Sequence, residues 1–173
     1  MDAIQHLNEL IRFDSVSSKS NVPITDHVER TLKQLGFETE RLEYDDKAGD
    51  RKASVVGKLG PGKGGLAYFG HTDVVPASPW FTDKHGPFEP TIKEGKLYGR
   101  GSCDMKGSIA CALAAVERIR VADLKQPIYI TCTADEEIGY GGAQSVAKRS
   151  TLFREMIAGD TRGIIGEPTH LEV

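Results

Sequence analysis

Four acidic or imidazole groups stand at the ends of apolar runs in this chain, roughly thirty residues apart, about one strand-plus-helix unit per step. They are His71 in Gly70-His71-Thr72-Asp73, Asp104 in Gly101-Ser102-Cys103-Asp104-Met105-Lys106-Gly107, the pair Glu136-Glu137 after Asp135, and Glu167 in Gly166-Glu167-Pro168-Thr169. One imidazole and several carboxylates gathered at one place suit a hard-to-borderline divalent cation. Such a cation polarises a carbonyl and acidifies water, so the chemistry implied is metal-assisted hydrolysis.

Each group also has a plainer reading. A lone histidine after a strand is more often a polar loop residue. Here Asp73 lies two positions on, on the same side of an extended chain, where it can orient the imidazole as metal-bound histidines require. Asp104 reads equally well as the N-cap of the helix that follows, and a capping carboxylate still has a second oxygen for a metal. Gly99, Gly101 and Gly107 around it indicate a tight backbone approach. Asp135, Glu136 and Glu137 repel one another, and a solvated turn would hold them. In extended backbone the two glutamates point oppositely, one toward a cation and one toward the reacting water, a ligand beside a base. Glu167 precedes Pro168 and is biased to an extended conformation.

The remaining candidates are weaker. Cys103, Cys111 and Cys132 read as small core residues, with Cys103 a minor candidate for a nucleophile or soft ligand. His85 reads as a loop residue, with a lesser reading as a ligand supplied by the proline-rich loop, and His6, His27 and His170 carry no pattern. Trp80, Phe81 and Phe88 read either as lining of the pocket or as a cap on the core, with the cap favoured. The loop Gly60 to Gly65 lacks the Gly-Lys-Ser/Thr ending of a phosphate loop.

The elements that must position these groups alternate. Apolar residues at Ile4, Leu7, Leu10 and Ile11 predict a helix over Ala3 to Phe13. A second helix starts near Pro23 and stops at Gly36, after the polar break Ser15 to Asn21. Strands are predicted at Phe37 to Tyr44, Ala53 to Leu59, Leu66 to Gly70, Ile128 to Thr133 and Gly163 to Gly166. Asp45 to Lys52 reads as a charged turn and Pro76 to Pro90 as irregular. A hairpin turns at Glu94-Gly95. Helices follow over Met105 to Ile119, Gly142 to Arg149 and Thr151 to Ile157. This order predicts an α/β fold, a mostly parallel twisted sheet flanked by helices. In such sheets ligands bind beyond the carboxyl ends of the strands, so His71, Glu136, Glu137 and Glu167 are expected on one rim.

The 173 residues are enough for one domain with a sizeable core. A net charge of −3 gives no basic footprint for nucleic acid or an anionic membrane. No stretch is long and apolar enough to span a bilayer. Three cysteines, an odd number without a Cys-x-x-Cys pair, argue for a reducing compartment. The N-terminus lacks a signal-peptide pattern. A cytoplasmic protein is expected.

Taken together, Gly70-His71-Thr72-Asp73-Val74-Val75-Pro76, Leu97 to Gly107, Thr133-Ala134-Asp135-Glu136-Glu137 and Ile165-Gly166-Glu167-Pro168-Thr169 resemble the four motifs of the dizinc M20 peptidase and deacylase family. The resemblance implies two Zn²⁺ ions per complete site, with Co²⁺ as a substitute. It implies Asp104 as the bridge, His71 and Glu167 on one ion, Glu137 on the other, Glu136 as the general base and Asp73 as the support of His71. It also implies a cis peptide at Asp104-Met105. The substrate class implied is a small N-acyl amino acid. Gly95 to Gly99 and Ile164 to Thr169 tilt the reading toward the branch that deacetylates N-acetylornithine in arginine biosynthesis. The branch acting on succinyl-diaminopimelate comes next, then related peptidases.

One departure bears on activity. Similar proteins continue into a lid domain and a return segment that carries a second metal-binding histidine, and no residue here matches it. Residues 1–173 are therefore expected to be the N-terminal portion of a single metallohydrolase catalytic domain. Alone they are expected to hold metal weakly and hydrolyse little, with an exposed apolar edge where the return segment would pack. A homodimer is expected for the complete protein. The reading from another class is a catalytically incompetent fragment or an interaction module.

Overall fold

A computed structural model describes residues 1–169; His170, for which the sequence offers no pattern, lies outside them. Among these residues there are five α-helices, α1 (Ala3–Ile11), α2 (Val22–Gln34), α3 (Lys106–Val116), α4 (Gly141–Arg149) and α5 (Thr151–Ile157), one short 3-10 turn (Val121–Asp123) and seven strands. The strands are β1 (Glu38–Asp45), β2 (Arg51–Leu59), β3 (Gly65–His71), β4 (Thr91–Lys93), β5 (Lys96–Tyr98), β6 (Ile128–Thr133) and β7 (Thr161–Ile165). β4 and β5 form the separate hairpin turning at Glu94-Gly95. The other five lie in the order β1-β2-β6-β3-β7.

The α/β layering is the one expected, and the sheet is mixed. β3 pairs in parallel with β6 and β7, while β2 pairs antiparallel with β1 and β6. A short charged turn joins β1 to β2, which permits an antiparallel hairpin; parallel neighbours need a long crossover, and helices supply it between β3, β6 and β7. The parallel part carries the predicted rim.

Alternation along the strands divides the core. Val55, Tyr68, Ile128, Ile130 and Cys132 pack on one face against Leu10, Ile24, Leu32, Ile109 and Leu113 of α1, α2 and α3. Val56, Ala67 and Tyr129, one residue out of phase, pack on the other face with Val146, Leu152 and Met156 of α4 and α5. A period of two thus buries both faces of the same strands. α1 begins with a capping box in which the Asp2 side chain accepts from the Gln5 amide and Gln5 reaches back to Asp2. β7 is an edge strand on which Ile164 and Ile165 are exposed. No helix among the described residues is long and apolar enough to cross a membrane.

Candidate metal centre

His71 is the last residue of β3 and sits in register with Thr133 at the end of the parallel neighbour β6. The segment that follows is clamped by the loop between α1 and α2. Ser15 Oγ donates to Thr72 O at 2.7 Å, Asn21 Nδ2 donates to Thr72 Oγ1 at 2.9 Å, and Val16 forms a parallel bridge with Val74. His71 and Asp73 are each only 1% exposed. His71 Nδ1 lies 2.9 Å from Asp73 O and 3.6 Å from Asp73 Oδ1. A carbonyl only accepts, so Nδ1 carries the proton and Nε2 is the atom offered to the rim. The backbone carbonyl thus orients the ring, with the carboxylate behind it.

Nε2 faces three carboxylates: Asp104 Oδ1 at 3.2 Å, Glu167 Oε1 at 3.5 Å and Glu136 Oε2 at 3.8 Å. His71, Asp104 and Glu167 bring one donor atom each within 4.8 Å of one another, and so do His71, Glu136 and Glu137. Among the described residues Asp104 and Glu137 do not share such a triad, though the charge of Asp104 is felt at Glu137.

Asp104 is not the N-cap of α3. Met105 holds that position, without a side-chain cap bond, and the Asp104 side chain is 51% exposed and turned to His71. The Asp104-Met105 peptide is cis. The approach around it is tight: a Cβ on Gly107 would lie 2.3 Å from Ser102 O, and Gly101 has φ +80°, a region L side chains rarely adopt.

Glu136 and Glu137 are not in extended backbone. Asp135 takes φ +57° and the chain then turns. The cause is Asp73, whose Oδ1 accepts from Glu136 N at 3.1 Å and whose Oδ2 accepts from Glu137 N at 3.3 Å. One buried carboxylate gathers two successive amides, and both glutamates reach the rim while Asp135 points away. Asp73 also accepts from Ser17 Oγ at 2.6 Å.

The electrostatics follow. Burial alone would lower the His71 imidazole, but the hydrogen bonds and charge of Asp73, with Glu167, raise it to about 9. Burial pushes the Asp73 carboxyl up, and the bonds from His71 and Ser17 outweigh it and hold it below its ordinary value. Glu137 and Glu167 are raised by burial and by the Asp104 charge. Without a cation, the proton on Nε2 is the positive charge that these carboxylates share.

One imidazole with its far nitrogen tied to a carbonyl, facing carboxylate oxygens that among the described residues accept from no side-chain donor but this ring, fits a divalent cation of the zinc, cobalt or manganese kind. The other candidates lie elsewhere. His85 bonds Gly86 O and packs with Trp80, Phe81 and Tyr98. Cys132 is buried, whereas Cys103 and Cys111 are exposed, against the expectation of core residues. The sequence reading missed Ser17, Tyr44 and Lys52: Ser17 lay in a polar break and Lys52 in a charged turn, and no local pattern marks them.

Residues 67–173 match peptidase family M20/M25/M40. The chain belongs to this family. The chain is 40% identical over 168 residues to an acetylornithine deacetylase of Myxococcus xanthus, covering 95% of this chain and 41% of that protein. It is 38% identical over 161 residues to one of Proteus mirabilis, covering 92% and 39%. The crystal structure of human carnosine dipeptidase 1 superposes with a TM-score of 0.78 at 27% identity, over 96% of this chain and 38% of that one. This M20 chain therefore spans about two fifths of the length of the relatives it matches.

Proposed function

We propose that these residues form the N-terminal, metal-holding portion of the catalytic domain of a metal-dependent amidohydrolase that cleaves an N-acyl amino acid, with N-acetylornithine as the substrate. The observation that carries the reading is His71 Nε2 within 3.8 Å of three carboxylates while Nδ1 is tied to Asp73. The deacetylase names of relatives near 40% identity support the deacetylase reading.

His71, Asp104 and Glu167 would hold one zinc ion, and Glu137 with Asp104 a second. When bound, such cations polarise the amide carbonyl and bring a water within reach of deprotonation near neutral pH. Glu136 Oε2 takes the proton from the attacking water and returns it to the departing amine. Asp73 holds the backbone of Glu136 and Glu137 still, so the base does not swing away between the two transfers.

Zinc uptake by dialysis, beside acetate release from N-acetylornithine, tests the assignment. Glu136→Gln is expected to bind zinc as the unsubstituted chain does, while any turnover falls to background. Glu137→Gln and Glu167→Gln are expected to lose zinc. Loss of zinc from Glu136→Gln equal to theirs contradicts the role of base. A faster reaction with succinyl-diaminopimelate or a dipeptide would move the substrate to another branch.

A further inference from the structure

We propose that Lys52 is a positioning residue for the metal centre: it locks the two arms that converge on Asp73 and so fixes His71, Glu136 and Glu137 together. The inference rests on the reading that this rim holds divalent cations.

Lys52 is the second residue of β2 and is 0% exposed. Its register partner on β1 is Tyr44. Nζ donates to Ser17 O and to Lys19 O, both at 2.7 Å, and makes ion contacts with Asp135 Oδ1 at 3.2 Å and Asp46 Oδ2 at 3.3 Å. A buried ammonium is costly unless paired and hydrogen-bonded, and Lys52 is both. What the ammonium supplies is connection.

One arm is the loop carrying Ser17, whose carbonyl Lys52 holds and whose hydroxyl donates to Asp73 Oδ2. Asp73 O in turn holds His71 Nδ1. The other arm is Asp135, gripped by Lys52 and by Tyr44 Oη at 2.6 Å. Asp135 starts the turn whose next two amides donate to that same Asp73 carboxylate. With the ammonium gone, Asp135 and Asp46 face each other without a countercharge. The carbonyls of Ser17 and Lys19 lose their donor, and both arms slacken at once. Lys52 touches none of the proposed metal ligands, so it acts only through these neighbours.

The test is zinc affinity of the chain by competition with a chromogenic chelator, with the visible spectrum of the Co²⁺-loaded chain reporting ligand geometry. Lys52→Met is expected to weaken zinc by about 10- to 100-fold, the range for partners behind the ligands, and to change the cobalt spectrum while circular dichroism stays native. Lys52→Arg, which keeps the charge, is expected to recover part of the loss. Should Lys52→Met fail to fold, Ser17→Ala and Tyr44→Phe each loosen one arm by a single hydrogen bond and are expected to weaken zinc by smaller factors. Unchanged affinity and spectrum in a folded Lys52→Met, or in both milder variants, overturns the inference and leaves the metal reading intact. No zinc uptake by the unsubstituted chain overturns both.

Discussion

The carboxylates of this rim fall into two kinds. Asp73 is buried and accepts from Ser17 Oγ and the amides of Glu136 and Glu137, besides its place against His71. Asp104 is half exposed, and His71 Nε2 is its ion-pair partner. The first kind is satisfied by the protein and helps the fold. The second kind is crowded with like charge and relieved by a single proton. The difference separates the groups that the protein itself satisfies from those left available to a cation.

Amide substitutions separate the two kinds most sharply. Asp104→Asn is expected to cost at least about a hundredfold in zinc affinity, beyond what a supporting partner costs. Its metal-free melting temperature is expected to stay level or rise, because a charge that raises both Glu137 and Glu167 is gone. Asp73→Asn is expected to do the opposite in the fold: a lower metal-free melting temperature, since an amide nitrogen replaces one accepting oxygen in a buried site. Calorimetry of the metal-free proteins decides. Equal destabilisation by both would erase the distinction.

pH acts next. His71 is raised from 6.5 to about 9 in the folded state, so its contribution is complete below pH 6.5 and is lost as pH rises through 9. Asp73 is lowered, so its contribution is present above its ordinary 3.8 and lost as pH falls through the lower folded value. The metal-free chain is thus expected to lose stability from pH 6.5 to 9. Zinc must displace the Nε2 proton, so its affinity is expected to rise about tenfold per pH unit over that window. A flat affinity profile would mean that His71 is not the ligand.

Much of this was legible in the sequence for a physical reason. A metal centre needs a few residue types at strand ends, and those types stand out in apolar surroundings, as His71 after Leu66 to Gly70 does. Strand patterning located β3 and β6 within a residue or two, because their buried faces dictate composition. The turn at Glu136 was not legible. It depends on Asp73, distant in sequence, collecting two amides, and no local pattern encodes that. Lys52 was hidden likewise: a lysine beside a charged turn looks solvated until the loop of Ser17 folds over it. The antiparallel half of the sheet escaped because periodicity names strands and not their neighbours.

The smallest expected effect closes the comparison from the other side. Lys58 and Glu155 form a 2.5 Å ion pair between β2 and α5. Like Lys52, Lys58 belongs to β2; unlike it, its partner faces solvent and leads to no residue of the rim. Exposed pairs lose in side-chain freedom and screening much of what they gain by attraction. Lys58→Met is therefore expected to shift the melting temperature by a few degrees at most and to leave zinc affinity unchanged. If it weakened zinc as Lys52→Met is expected to, any cation on β2 would tune the rim through the field alone, and the specific contacts of Lys52 with Ser17 and Asp135 would be unnecessary.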